Sequence, residues 1–330
     1  MIKQYLFKYR YPQSINIELM DTCNLRCKHC YIYARDNISK RFMDYNLFKQ
    51  IIDKLSFLLK KSKHISFSSV EGLYHKDFFN MLDYIKTNIG QISIPIYTNG
   101  MLLNEHNIRQ LLDREMDSYV VSLDGCKKKT VEDFKNGTDF DRVVENIKRL
   151  RYIGGNDIDI FVKFVAHKNN IGELLDYIDF CNDLGVDGIS INGLAPYGKD
   201  MEDVCLFSES GMPDVDQLYL DARDKAKSLG MRLTKFPLTK PIVRGCNADK
   251  ELYIDIDGNV IPCVLFKERT CLTLFGESRQ TKPIVYGNVL VTNPYEIWMD
   301  KSYIDFRKKL QDGVLPDMCR LCAMGHGVVC

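Results

Sequence analysis

Cys23, Cys27 and Cys30 stand in the run Cys23-Asn24-Leu25-Arg26-Cys27-Lys28-His29-Cys30, directly after a short apolar segment of β character. Four-iron clusters are held by cysteine thiolates, normally four of them, so a compact set of three fills three corners of a cubane and leaves one iron without a protein ligand. An iron with an open position can bind a molecule and pass it an electron. Zinc is the alternative for closely spaced Cys and His, but it asks for two separated pairs of ligands, and no fourth partner stands near this triplet. The spacing favours iron–sulfur chemistry. Twelve cysteines in 330 residues would suggest disulfides in a secreted protein, whereas in a reducing compartment close spacing points to metal or catalysis.

The elements that must position these cysteines follow from periodicity. Short β-branched runs alternate with longer amphipathic stretches over the first two thirds of the chain, the pattern of parallel strands joined by crossover helices. Strands are expected at 14–19, 64–68, 92–97, 118–123, 158–165 and 188–192, with helices at 45–59, 77–89, 105–115, 140–153 and 171–184. Six such units make a partial (β/α)6 TIM-like barrel. Sites in such folds gather in the loops after the strand C-termini, where the cysteine triplet stands. A further helix spans about 215–229, after which the character changes. Glu251 to Cys263 reads as a β-hairpin turning at Asp257-Gly258, and one last helix is expected over 295–311. A boundary near Gly230 divides the chain into a core, 1–230, and a small α+β region, 231–330, too small for a large core of its own. With 45 basic and 44 acidic residues the formal charge is +1, so no global field draws in nucleic acid or an anionic membrane. Neither a signal-peptide run nor a stretch long enough to span a bilayer is present, and a cytoplasmic address is expected.

The C-x3-C-x2-C arrangement resembles the signature of the radical S-adenosylmethionine (SAM) superfamily, with His29 at its aromatic position. The resemblance covers roughly residues 14–200. It implies a [4Fe–4S] cluster on Cys23, Cys27 and Cys30 whose open iron chelates the methionyl group of SAM. Where the family usually has Gly-Gly-Glu-Pro after the second strand, this chain reads Ser69-Val70-Glu71-Gly72, which keeps the glutamate and changes its neighbours. Thr98-Asn99-Gly100 and Ser122-Leu123-Asp124-Gly125 resemble segments that contact the cofactor. The resemblance thus makes His29, Glu71, Asn99, Ser122 and Asp124 cofactor-binding candidates. Cys246, Gly258, Cys263 and the pair Cys319-Arg320-Leu321-Cys322 resemble the SPASM and twitch branch. That implies one auxiliary [4Fe–4S] cluster on Cys246, Cys263, Cys319 and Cys322, with Cys330 a further possible ligand and a zinc ribbon as the alternative for two separated pairs.

What the resemblance implies for function is homolytic cleavage of SAM to a 5′-deoxyadenosyl radical, with hydrogen abstraction from a substrate and reducing equivalents from a donor such as flavodoxin or ferredoxin. The expected substrate is a small hydroxylated molecule (a sugar, aminocyclitol or nucleoside), oxidised or epimerised at one carbinol carbon. The alternative is a maturase of a ribosomally made precursor peptide, by crosslinking, thioether formation or epimerisation; a non-catalytic iron–sulfur protein is more distant. Cys126, Cys205 and Cys271 are candidate hydrogen donors for epimerisation. Cys181 falls on a helix and reads as core.

Overall fold

The computed structural model describes residues 10–35, 39–67, 71–235, 239–241 and 245–328. The six expected parallel strands form in order: β1 (Ser14–Ile17), β2 (His64–Ser66), β3 (Ile96–Thr98), β4 (Tyr119–Ser122), β5 (Ile160–Ala166) and β6 (Gly188–Gly193). β1 pairs with β2, and β3 to β6 pair in sequence, all parallel. A bridge between His64 and Ser93 joins the two halves of the wall. The third strand starts four residues later than expected. Pro95 has no N–H to give to a ladder, and the Ile94 N–H donates instead to the Asp117 carboxylate at 2.5 Å.

Two more parallel strands flank the six. β7 (Arg232–Lys235) pairs with β6, one strand beyond Gly230, and β8 (Glu251–Ile254) pairs with β1. The small C-terminal region is therefore continuous with the barrel wall through β8. Helices cover the outer face. Tyr45–Leu59 forms because Phe48, Ile51, Ile52, Leu55, Leu58 and Leu59 share one apolar face, while the Asp44 side chain caps its start by accepting from the N–H groups of Asn46 and Leu47. Against such faces the strands press Ile15, Ile17, Ile65, Val121, Val162 and Phe164, all fully buried.

The alternate residues point inward. Ser14, Asn16, Ser66, Tyr97, Ser122, Lys163, Glu251 and Tyr253 line a cavity of about 770 Å³ along the barrel axis. This polar lumen is the main consequence of the fold for chemistry.

The hairpin of β8 and β9 (Asn259–Ile261) turns where expected. Gly258 has φ +82°, and the Asp255 carboxylate accepts from the N–H groups of Asp257 and Asn259. The expected final helix is two helices, Pro294–Trp298 and Lys301–Gln311. Asp300 ends the first by starting the second, since its carboxylate accepts from the N–H groups of Ser302 and Tyr303. The guanidinium of Arg307 lies 3.5 Å from the Trp298 ring centre, and Tyr286 stacks on Tyr303 at 4.2 Å, giving the region an aromatic core. An antiparallel ribbon over Cys271–Leu274 and Glu277–Gln280 was not legible in the sequence. Among the described residues no helix is long and apolar enough to cross a membrane.

Candidate functional site

β1 delivers the chain through buried Glu18 to Thr22 into the cysteine loop. A two-residue ribbon pairs Arg26–Cys27 with Lys135–Asn136, and the Lys28 N–H donates to the Phe134 carbonyl at 3.0 Å, which ties the loop to the segment after β4. The Cys30 N–H donates to the Cys27 carbonyl at 3.1 Å. From outside, Arg26 donates to the carbonyls of Cys23 and Leu25 at 2.7 and 2.9 Å and to the Tyr33 hydroxyl. The three thiols are half-buried, in no disulfide, and all line the cavity. Burial and their mutual repulsion push Cys27 up to about 12 and Cys30 up to about 11, with burial the larger cause. Three thiols on one cavity wall that resist ionisation in the bare protein would lose their protons on binding a cationic iron centre, which takes the deprotonated form.

Around this loop the expected cofactor residues separate into two groups. Glu71 is 2 % exposed, lines the cavity, and accepts from the Asn99 N–H at 2.6 Å and the Thr98 hydroxyl at 2.9 Å. Burial raises it to about 7 against the pull of those hydrogen bonds. Asn99 in turn donates to Asn24 Oδ1 at 2.8 Å and lies 3.7 Å from Cys23 Sγ, so Glu71 and the cysteine loop are linked through one residue. His29 and Ser122 also line the cavity. His29 stacks on Phe134, which stacks on His167, at 5.2 and 4.0 Å between centres, and burial lowers His29 to about 4. Asp124 departs from expectation, because its carboxylate does not line the cavity. One oxygen accepts from the Val165 N–H at 2.9 Å and the other lies 3.5 Å from Lys135 Nζ. It anchors Lys135, whose ammonium donates to Ser122 Oγ at 2.7 Å, sits on the wall and draws Cys27 downward in pKa. The sequence missed Lys135, which stands in an ordinary charged run. Ser69 and Val70 lie outside the described residues.

The second cysteine set faces the same lumen from its other end. β8 runs parallel to β1, with Glu251 opposite Ser14, and Cys246 lies just ahead of it. β9 returns to bring Ile261 opposite Tyr253, which places Cys263 back near that start. At about 3.3 Å per residue, Ser14 to Ile17 alone separates the two levels by roughly 10 Å. The Gly245 N–H donates to the Gly325 carbonyl at 2.8 Å, and the Cys322 N–H to the Cys319 carbonyl at 3.0 Å, gathering the C-terminal pair beside Cys246. Cys246, Cys263, Cys319 and Cys322 all line the cavity. Burial and the neighbouring cysteines raise Cys263 to about 12 and Cys319 higher. Cys330 lies outside the described residues. Tyr197, which the sequence did not single out, feels Cys30 of one set and Cys322 and Cys263 of the other.

None of the candidate hydrogen donors lines the cavity. Cys126 Sγ lies 3.6 Å from the Glu173 carboxylate, Cys205 is buried with its thiol donating to the Leu194 carbonyl, and Cys271 sits on the outer ribbon 3.7 Å from Thr273 Oγ1. Cys181 is fully buried in the core.

The Radical SAM superfamily model matches residues 17–181, and the SPASM iron–sulfur cluster-binding domain matches 246–323. The chain is 26 % identical over 315 residues to the tungsten-containing aldehyde ferredoxin oxidoreductase cofactor-modifying protein of Pyrococcus furiosus, covering 93 % of this chain and 86 % of that one. It is 30 % identical over 179 residues to a probable GTP 3',8-cyclase of Methanocaldococcus jannaschii, a match that spans 52 % of this chain and 56 % of that one. In fold it is similar to Streptococcus suis SuiB bound to the precursor peptide SuiA, with TM-score 0.69 and 16 % identity over 98 % of this chain and 74 % of that one. The first domain implies SAM and a [4Fe–4S] cluster, and the second implies auxiliary iron–sulfur binding. Two cysteine sets facing one lumen and two family matches that bracket them lead to one conclusion: the chain belongs to the radical SAM superfamily and is a radical SAM enzyme with a SPASM domain.

Proposed function

We propose that this enzyme oxidises one carbinol carbon of a small hydroxylated molecule, a sugar, aminocyclitol or nucleoside, held in the barrel lumen between the two cysteine sets. The observation that carries this reading is the polar inward row: Ser14, Asn16, Ser66, Tyr97, Ser122, Lys163, Glu251 and Tyr253 offer hydrogen bonds at every level of the wall. A cavity of about 770 Å³ is within the range of small-molecule sites, roughly 300–1,000 Å³, and it also has to admit SAM. The relative that is named a probable GTP 3',8-cyclase supports a nucleoside-like substrate.

On this reading Cys23, Cys27 and Cys30 hold the first cluster, and Cys246, Cys263, Cys319 and Cys322 hold a single auxiliary cluster as electron acceptor. The bound cofactors supply an organic radical able to take hydrogen from an unactivated C–H bond. Glu71, Asn99, Ser122 and His29 position SAM, with Lys135 as the cation for its carboxylate. Glu251 Oε2 accepts from Tyr253 and Asn16, at 2.5 and 3.2 Å, which leaves Oε1 to take a substrate hydroxyl proton. The core ends near Gly230, and electrons come from a flavodoxin or ferredoxin in a reducing, cytoplasmic setting. A second reading, maturation of a ribosomal peptide, is supported by the likeness to SuiB, which concerns the fold.

Anaerobic turnover with reductant, SAM and separate panels of hydroxylated small molecules and precursor peptides tests the proposal. A ketone product supports it, and a crosslinked or thioether peptide rejects it. Cluster number is checked independently. Reconstituted protein should hold about eight irons, and Cys246→Ala with Cys263→Ala about four. A wild-type content near four, or stoichiometric zinc, removes the auxiliary cluster. Glu71→Gln keeps the side-chain shape and removes the charge, so SAM affinity should fall about 10- to 100-fold in equilibrium dialysis while iron content stays constant. Unchanged affinity would take Glu71 out of the cofactor site.

A further inference from the structure

Outside the lumen, a largely buried set of charges with one exposed pair joins the loops that carry the two cysteine sets. Lys267, four residues after Cys263, donates to both Glu18 and Asp21, the carboxylates that precede Cys23. Arg35, five residues after Cys30, donates to Glu18 at 3.2 Å, and the same nitrogen reaches the carbonyl of Val264 at 3.4 Å. Its guanidinium also lies over Tyr31, 5.0 Å from the ring centre, and its backbone bridges to Thr270. Asp21 further accepts from the Ser39 hydroxyl and from Arg41 Nε at 3.0 Å. Arg41 Nη1 then donates to both carboxylate oxygens of Asp257, at 2.8 and 3.1 Å, in the turn of the β8–β9 hairpin.

The side chains of Glu18, Asp21, Arg35 and Lys267 are only 3 to 5 % exposed. Three acids, Glu18, Asp21 and Asp257, balance three bases, Arg35, Arg41 and Lys267. A buried ion network is a poor device for raw stability, because desolvation offsets most of the attraction and apolar packing of the same volume often does better. Its strength is geometric. Each charge has a partner only in one register, and a shift of either loop strands a charge in the interior. Here Glu18, Asp21 and Arg35 flank the first cysteine set, while Lys267, Val264 and Asp257 flank Cys263 of the second.

We propose that this network is a latch that sets the register between residues 18–41 and 257–267, so that Lys267 is a positioning residue for metal at the first cysteine set although it belongs to the second region. The proposal rests on the reading that both cysteine sets hold iron.

The test is a chelator challenge on anaerobically reconstituted full-length protein. Iron release from the first set is followed by the electron paramagnetic resonance signal of the reduced cluster that responds to SAM. Lys267→Met should speed release from the first set by at least about tenfold, because it removes the one buried cation that Asp21 and Glu18 share and leaves Asp21 to the exposed Arg41. Lys267→Arg should restore slow release. Glu18→Gln combined with Lys267→Met should be no faster than Lys267→Met alone, because a shared interaction is lost only once. General loosening predicts additive effects and no rescue by arginine. Where Lys267→Met does not fold, Arg41→Ala opens the outer, exposed pair, with release faster by about two- to fivefold. Release unchanged in these variants, or additive Glu18 and Lys267 effects, overturns the latch. Wild-type protein without iron at either set overturns the underlying two-cluster reading instead.

Discussion

Reduced protein carrying Cys23→Ala, Cys27→Ala or Cys30→Ala releases no 5′-deoxyadenosine from SAM, while the wild type does. The expected loss is complete for each single substitution. On the proposed ligand set each thiolate would hold a different iron corner, and with no fourth protein ligand in that set the loss of one could not be made good. Other sulfurs are otherwise placed: Cys126 is engaged by Glu173, Cys181 is enclosed in the core, and the second set stands at the other end of the lumen. The same variants should retain about half of the wild-type iron, at Cys246, Cys263, Cys319 and Cys322. Product assay by liquid chromatography and iron analysis on one preparation separate loss of chemistry from loss of fold. Cleavage of SAM that survives in any of the three variants would mean that the triplet is not the cofactor-activating site.

The family was legible because its signature is local: three cysteines within eight residues need no tertiary information to be read as one candidate ligand set. The helix Tyr45–Leu59 was legible for a similar reason, with an apolar stripe and an Asp44 cap inside one window. So was the turn at Asp257-Gly258. What the sequence hid depends on which strands become neighbours. Glu251 enters the lumen only because β8 pairs with β1, far apart in the chain, and Lys135 reaches the site through a ribbon two residues long. Asp124 was proposed from a family-like segment after the fourth strand, and its surroundings lay beyond the sequence. Its carboxylate turns back instead to the Val165 N–H and Lys135. The break at Asp300 shows the same limit on a smaller scale, since an acid within a helical pattern reads as a surface residue until its side chain caps a new start.

Glu251→Gln should reduce formation of oxidised product by about 10²- to 10⁴-fold, the range for removing a positioned general base, while cleavage of SAM continues without coupled product. Oxidation of a carbinol requires three transfers. The C–H hydrogen atom leaves to the cofactor-derived radical, the O–H proton leaves to a base, and one electron leaves to an acceptor, giving C=O. On the proposed reading Glu251 takes the second transfer. It lines the lumen at the level of the second cysteine set, where the acceptor would stand, and Tyr253 and Asn16 fix its orientation through Oε2. Glutamine preserves that shape and cannot take the proton. Epimerisation would need a hydrogen atom returned to carbon from the opposite face, and the thiols of Cys126, Cys205 and Cys271 all lie off the cavity wall. Turnover in deuterated water distinguishes the two fates. Net oxidation gives a product poorer by two hydrogens with no solvent deuterium on carbon. An isomer carrying solvent deuterium, lost when one of those three cysteines is replaced, would overturn oxidation and require the lumen to open toward that thiol during turnover. Retention of full product formation in Glu251→Gln would move the base elsewhere on the wall.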